Sequence, residues 1–356
     1  MVTNPRIAGE KRRLRTCVHR TCVAPITNCD HNASVPASKP PDPRAAVAAF
    51  DQPFAVYEAV PEYEAELCIE LGPEAKPLGE GLWVGPAGRD PAWAADVWLR
   101  PEVVPITSIG DAARQLRDRQ RNWHLAPLAA VRRSRLVEGK LPKLRRKPRS
   151  FPTDLPTAPL GAFTLLDEGH LLLSAETRSP FPGGVVTFEE DREGPPSRAY
   201  LKLWEALTLM GGPPAPEARC LDLGSSPGGW TWVLAEHARE VVSIDKAPLA
   251  PEVSARRNVD ERIGSAFAFE PLSEGHFDWV CSDVICYPPR LLKLVQRWLE
   301  AGTADRFVCT LKFQGQTDHE TAAAFAAIDG ARVRHLHHNK HELTFMLDRT
   351  AAPVAT

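Results

Sequence analysis

The chain has 356 residues, with 43 Lys and Arg against 45 Asp and Glu, a formal net charge of −2 and an apolar fraction of 43%. That length predicts about two domains plus extensions, and the apolar content is ample for a sizeable core. No run of roughly eighteen apolar residues exists, so neither a membrane span nor a membrane partner is expected, and no signal-peptide apolar region is expected either.

The eight cysteines lie mostly in or beside apolar runs, as small hydrophobes in a reduced compartment do, so a cytoplasmic protein is expected. Residues 1–48 are rich in Arg, Lys, Pro and Ser without sustained periodicity, and read as a disordered basic tail. Cys17, His19, Cys22, Cys29 and His31 fit no paired zinc-ligand spacing. Residues 49–154 read as a small α+β module. Strand-like pieces at 54–57, 81–84 and 96–99 flank a helical stretch from Tyr63 to Leu71, and a second helix follows Ser108.

The strongest charge bias comes next. Arg114, Arg117, Arg119 and Arg121 precede Arg132, Arg133, Arg135, Lys140, Lys143, Arg145, Arg146, Lys147 and Arg149, opposed only by Asp118 and Glu138. Such a surface suits a polyphosphate backbone, so RNA is the expected partner of this segment. A hairpin is expected at 163–175, a strand at 185–188, and a helix capped by Ser197 that carries Lys202.

Residues 155–350 are expected to form one α/β domain, followed by a tail at 351–356. Its opening signal is Cys220-Leu221-Asp222-Leu223-Gly224-Ser225-Ser226-Pro227-Gly228-Gly229-Trp230, an apolar strand running into a glycine loop and then a helix. This is the start of a doubly wound sheet that binds ligands beyond its strand ends. The loop lacks both the G-x-G-x-x-G spacing and the Gly-Lys-Ser/Thr of phosphate-gripping loops. Asp222 favours a cationic ligand, and Asp245 ends the next strand, where a ribose diol is usually held. A ribose beside a positive group points to S-adenosylmethionine (SAM). Further strands end in Asp283 and Lys312, and one begins at Glu342, so these groups are expected on the same edge of the sheet.

Ser-Arg-Ala-Tyr-Leu-Lys-Leu at 197–203, the glycine loop, Cys-Ser-Asp at 281–283, Leu-Lys-Phe at 311–313 and Lys-His-Glu-Leu-Thr at 340–344 resemble the ordered motifs of FtsJ-like ribose 2′-O-methyltransferases. Within that superfamily the likeness is to the RlmM-type 23S rRNA cytidine ribose methyltransferases. The resemblance covers roughly 155–349. It implies a Rossmann-like methyltransferase domain with a mostly parallel seven-stranded sheet, SAM as cofactor, rRNA as partner and no metal.

It also implies a catalytic tetrad of Lys202, Asp283, Lys312 and Glu342, and SAM contacts from Asp222, Gly224, Pro227, Gly229, Trp230 and Asp245. The adenine acid common in relatives is absent from Ile263-Gly264-Ser265-Ala266-Phe267, so Ser265 or its backbone is expected in that role. The N-terminal portion is shorter than the THUMP region of RlmM-type enzymes. In the implied chemistry Lys312 is the general base, Lys202 its electrostatic partner, Asp283 the orienter, and Glu342 holds the lysines or the ribose. Other acceptors (an mRNA cap or a small molecule) and a non-catalytic ribosome-assembly factor stay open on sequence alone. His335, His337, His338 and His341 are expected as exposed polar residues near the substrate mouth rather than as a metal cluster.

Overall fold

A computed structural model describes residues 42–144 and 146–350. The tail expected at 1–48 lies outside the described residues up to 41. Past that point the expectation fails, because α1 (Pro43–Ala48) is capped by Asp42 and buries Ala46 and Val47. The element order continues with β1 (Phe54–Ala59), α2 (Glu64–Leu71), β2 (Lys76–Gly79), β3 (Leu82–Pro86) and β4 (Ala94–Trp98). These strands form an antiparallel sheet in the order β2-β3-β1-β4.

Then come β5 (Glu102–Pro105), α3 (Ile109–Arg119), β6 (Trp123–Leu125), α4 (Val131–Glu138), β7 (Gly161–Leu165) and β8 (His170–Ser174). They build a second sheet in the order β5-β8-β7-β6. The expected hairpin is thus β7–β8, and it pairs with β5 and β6 rather than with the downstream sheet. The N-terminal half therefore extends to Ser174, past the boundary expected at 154. Part of the basic run is helical: Ala112, Ala113 and Leu116 of α3 and Val137 of α4 pack in one apolar cluster. The strand expected at 185–188 is irregular apart from a bridge between Arg149 and Phe188.

The C-terminal half runs α5 (Tyr200–Leu209), β9 (Arg219–Leu223), α6 (Gly229–His237), β10 (Glu240–Asp245), α7 (Pro251–Ser254), β11 (Val259–Ile263), β12 (Phe277–Ser282), α8 (Pro288–Ala301), β13 (Ala304–Lys312), α9 (His319–Ala326), β14 (Arg332–Arg334) and β15 (Glu342–Asp348). Its seven strands lie in the order β11-β10-β9-β12-β13-β15-β14, and β15 is antiparallel to both its neighbours. The central strands are buried over most of their length because helices cover both faces of the sheet. The order reverses at β9, and the ends of β9, β10, β11, β12 and β13 open on one edge. That is where a doubly wound sheet places its ligand.

The two halves share a core. Tyr57, Leu67, Leu71 and Trp93 belong to the same apolar cluster as Phe313, Leu343 and Phe345. No helix among the described residues is long and apolar enough to cross a membrane.

Candidate active site

Lys202 is the third residue of α5, a helix buried continuously from Tyr200 to Thr208. The helix starts at Tyr200 without a side-chain cap, so Ser197 is not its N-cap. Packing of Tyr200, Leu203, Trp204 and Leu207 against Cys220, Val308 and Met346 fixes it instead. The Lys202 amine donates to Asp283 Oδ1 at 3.0 Å and to Glu342 Oε1 at 3.0 Å. Asp283 follows the last residue of β12, while Lys312 ends β13 directly opposite Glu342 in the antiparallel register.

Lys312 Nζ lies 3.0 Å from Asp283 Oδ1 and also donates to the Asp283 carbonyl. Both amines touch the same carboxylate oxygen, so their nitrogens are separated by no more than twice that distance. Lys202 is almost fully buried, and burial alone would lower its pKa. Asp283 and Glu342 outweigh that effect and hold it above the ordinary lysine value, so it remains a cation. Lys312 is the more accessible amine and lies on the wall of a cavity of about 320 Å³.

That cavity occupies the open edge of the sheet. Its walls are Gly224 and Ser226 after β9, Asp245 and Lys246 at β10, Gly264 to Phe267 after β11, Asp283 to Ile285 after β12, Arg290 and Lys312. Gly224 has φ +81°, and a Cβ there would lie 2.6 Å from Val284 Cα, so bare backbone must form that wall. The Asp245 carboxylate accepts the Ser226 and Ala247 backbone N–H groups at 3.1 Å each, and both oxygens keep further acceptor capacity. The Arg290 guanidinium stacks 3.8 Å over the Phe267 ring and stiffens the apolar end. The volume falls in the range of small-molecule sites. An acid for a diol, an apolar end and a bare glycine wall fit a nucleoside-bearing methyl donor.

Of the expected cofactor positions, Gly224, Asp245 and Ser265 line this cavity, whereas Asp222, Pro227, Gly229 and Trp230 do not. Asp222 is fully buried beneath the loop and accepts from Thr231 Oγ1 at 2.6 Å, while its Oδ1 has no partner. Burial pushes its carboxyl up to about 7. Pro227 accepts the Ala250 N–H at 2.9 Å, and Trp230 donates to the Ala199 carbonyl at 2.9 Å. A Cβ on Gly229 would meet Ser197 Oγ at 2.4 Å. These four hold the loop, α6 and the approach to α5 in register. Sequence reasoning missed Lys246, Phe267, Ile285 and Arg290. The only available signal for Arg290 was its place seven residues after Asp283, at the start of an amphipathic helix.

The histidines are not the exposed group expected from their polarity. His337 alone is exposed, and among the described residues no cluster could hold a metal ion. Burial pushes His335 and His338 down to about 4, so both are neutral. Their loop is anchored by Glu205, whose carboxyl accepts the His337 and His338 N–H groups at 2.8 and 3.2 Å. Burial raises Glu205 to about 8. Its folded pKa exceeds its unfolded value of about 4.3, so the native state holds a proton that the unfolded chain has released, and stability falls as pH rises across that window. Asp222 and Asp96, the latter raised to about 8 chiefly by burial, act with the same sign. The buried neutral His335 and His338 act with the opposite sign below their unfolded value of about 6.5. Thermal melts from about pH 6.5 to 8 should therefore show declining stability, and Glu205→Gln should make the decline shallower. An unchanged slope would contradict the protonated assignment.

A doubly wound sheet in this order, with its cavity at the point of reversal, defines the Rossmann-like SAM-dependent methyltransferase class. Residues 195–318 match the family model described as FtsJ-like methyltransferase. The Ribosomal RNA large subunit methyltransferase M of Halorhodospira halophila is 34% identical over 194 residues, covering 52% of this chain and 56% of that protein. The protein of the same name from Xanthomonas campestris pv. campestris is 30% identical over 242 residues, covering 63% of this chain and 68% of that one. The chain thus spans little more than half the length of the first of these relatives. It belongs to the FtsJ-like methyltransferase family, in the branch of the large-subunit rRNA methyltransferase M proteins.

Proposed function

We propose that the protein is a SAM-dependent RNA ribose 2′-O-methyltransferase acting on 23S rRNA. The observation that carries this reading is the tetrad: two amines and two carboxylates from four distant segments, with Asp283 Oδ1 joining the two amines, Lys202 joining the two carboxylates, and Asp283 and Lys312 on the wall of a nucleoside-sized cavity.

SAM supplies a methyl group activated by its sulfonium. Asp245 would hold the ribose diol, the Gly224 backbone would pass close to the donor, and Phe267 with Ile285 would flank the base. A ribose 2′-hydroxyl is a weak nucleophile and must lose its proton as it attacks the methyl carbon. Lys312 would take that proton, since Lys202 is the amine held charged by its two carboxylates. Lys202 would stabilise the developing alkoxide, Asp283 would aim both amines, and Glu342 would keep Lys202 in place. Much of the acceleration would come from alignment of hydroxyl, methyl and sulfur.

RNA as substrate is supported by the basic segment. Arg146, Lys147 and Arg149, with His124, line a cavity of about 370 Å³ in which Glu58 is the only carboxylate. Incubation with methyl-labelled SAM and unmodified rRNA, followed by nuclease mapping, should place label on a ribose 2′-oxygen. Label on a base, or on no RNA at all, would overturn the proposal.

A further inference from the structure

Three arginines meet where β14, the edge strand of the large sheet, faces the segment following β8. Arg332 and Arg334 are two residues apart on β14 and project to the same side. Arg178 approaches from the N-terminal half, and the three line a cavity of about 260 Å³. Asp90 is shared by two of them, at 2.9 Å from Arg178 and 2.6 Å from Arg334. Arg332 donates to the Leu209 carbonyl at 3.1 Å and makes no ion pair among the described residues. Glu205, the acid on the same wall, is protonated near neutral pH, and both its oxygens already face backbone N–H groups. Within ion-pair distance the three guanidinium charges therefore share one carboxylate, with Asp348 acting on Arg332 and Asp96 on Arg178 from further away. Burial and the neighbouring Arg334 push both Arg178 and Arg332 below the usual arginine value, as expected where cations outnumber counterions.

The cavity adjoins two others. It shares Ala95, Gly184 and His335 with a smaller one that contains Tyr63, whose ring stacks 5.5 Å from that of His341, the neighbour of Glu342. It shares Phe181 and Val186 with the cavity of Arg146, Lys147 and Arg149. It thus adjoins the cavity of the basic segment, and Tyr63 and His341 link its neighbour to Glu342 of the tetrad. We propose that the Arg178–Arg332–Arg334 cavity is a phosphate subsite that grips an internucleotide phosphodiester of the RNA strand whose target ribose lies at Lys312. The inference rests on the RNA-methyltransferase reading. A free nucleotide phosphate offers the same chemistry, but the walls shared with the cavity of the basic segment favour a strand.

The test uses the full chain and a fluorescein-labelled, unmodified 23S rRNA fragment, with anisotropy read across a salt series. Arg332→Gln should weaken RNA binding about tenfold, the size of one charge-assisted hydrogen bond, and lower the slope of log K against log salt by about 0.7. Arg332→Lys should keep the slope and lose only part of the affinity. SAM affinity should not change in either variant. If Arg332→Gln loses SAM binding, Arg334→Gln supplies the same reading. Unchanged affinity and slope would overturn the subsite. So would stabilisation of the wild type, but not of Arg332→Gln, by inorganic phosphate or cytidine monophosphate with RNA binding unaltered, since the source would then be a free nucleotide. Wild-type protein that binds and methylates no RNA would instead defeat the underlying functional reading.

Discussion

Lys312→Ala should lower kcat by at least about a hundredfold while leaving the Kd for SAM within a few-fold, because a positioned general base contributes at least that much. The geometry makes the two readouts separable. Lys312 is one wall residue of a cavity whose other walls come from four strand ends, so the donor loses one contact and the reaction loses its proton acceptor. The fold should tolerate the change, since Asp283 keeps its ion pair with Lys202 at 3.0 Å. Lys312→Arg should be equally inactive although a long basic side chain still fills the position, since a guanidinium cannot give up its proton at neutral pH. Single-turnover methyl transfer and equilibrium SAM titration check both variants. Parallel loss of SAM affinity and melting temperature would make Lys312 structural, and activity above about a tenth of wild type in Lys312→Arg would remove it as the base.

The C-terminal half was legible because each of its signals is local. The strand-loop-helix at 220–237 and the charged residues at successive strand ends need only the rule that parallel strands open on one edge. That rule brings Asp283 and Lys312 to one edge, whereas Lys202 and Glu342 join the set only through the family resemblance, and contacts across 81 and 140 residues of chain pair Lys202 with both carboxylates. The N-terminal half was less legible because its sheets are assembled across long separations. β5 pairs with β8, some seventy residues later, and no periodicity in either segment announces the partnership. The cofactor loop was legible only in part, for a related reason. Motif positions such as Asp222, Gly229 and Trp230 shape the loop from beneath, through Thr231, Ser197 and Ala199, and only coordinates separate a wall from its support.

Lys202→Met should produce the opposite pattern to Lys312→Ala, a loss of stability together with activity. Lys202 is the only amine within ion-pair distance of Glu342 among the described residues, and both side chains are nearly buried. Its removal strands the Glu342 carboxylate, and breaking a buried pair from one side costs about 3 kcal/mol or more. Much of that cost is the uncompensated charge, so Lys202→Met/Glu342→Gln should be more stable than Lys202→Met alone, while both stay inactive. The pH dependence follows from the raised pKa of Lys202, caused by Asp283 and Glu342 overcoming its burial. A cation held above its unfolded value contributes its stabilisation fully below about pH 10.4, and loses it as pH climbs through the folded pKa. The melting-temperature gap between wild type and Lys202→Met should therefore be flat through neutral pH and close only in strongly alkaline buffer. A gap that closed near pH 8 would mean that Lys202 sits neutral in the native site, and the roles of the two lysines would have to be exchanged.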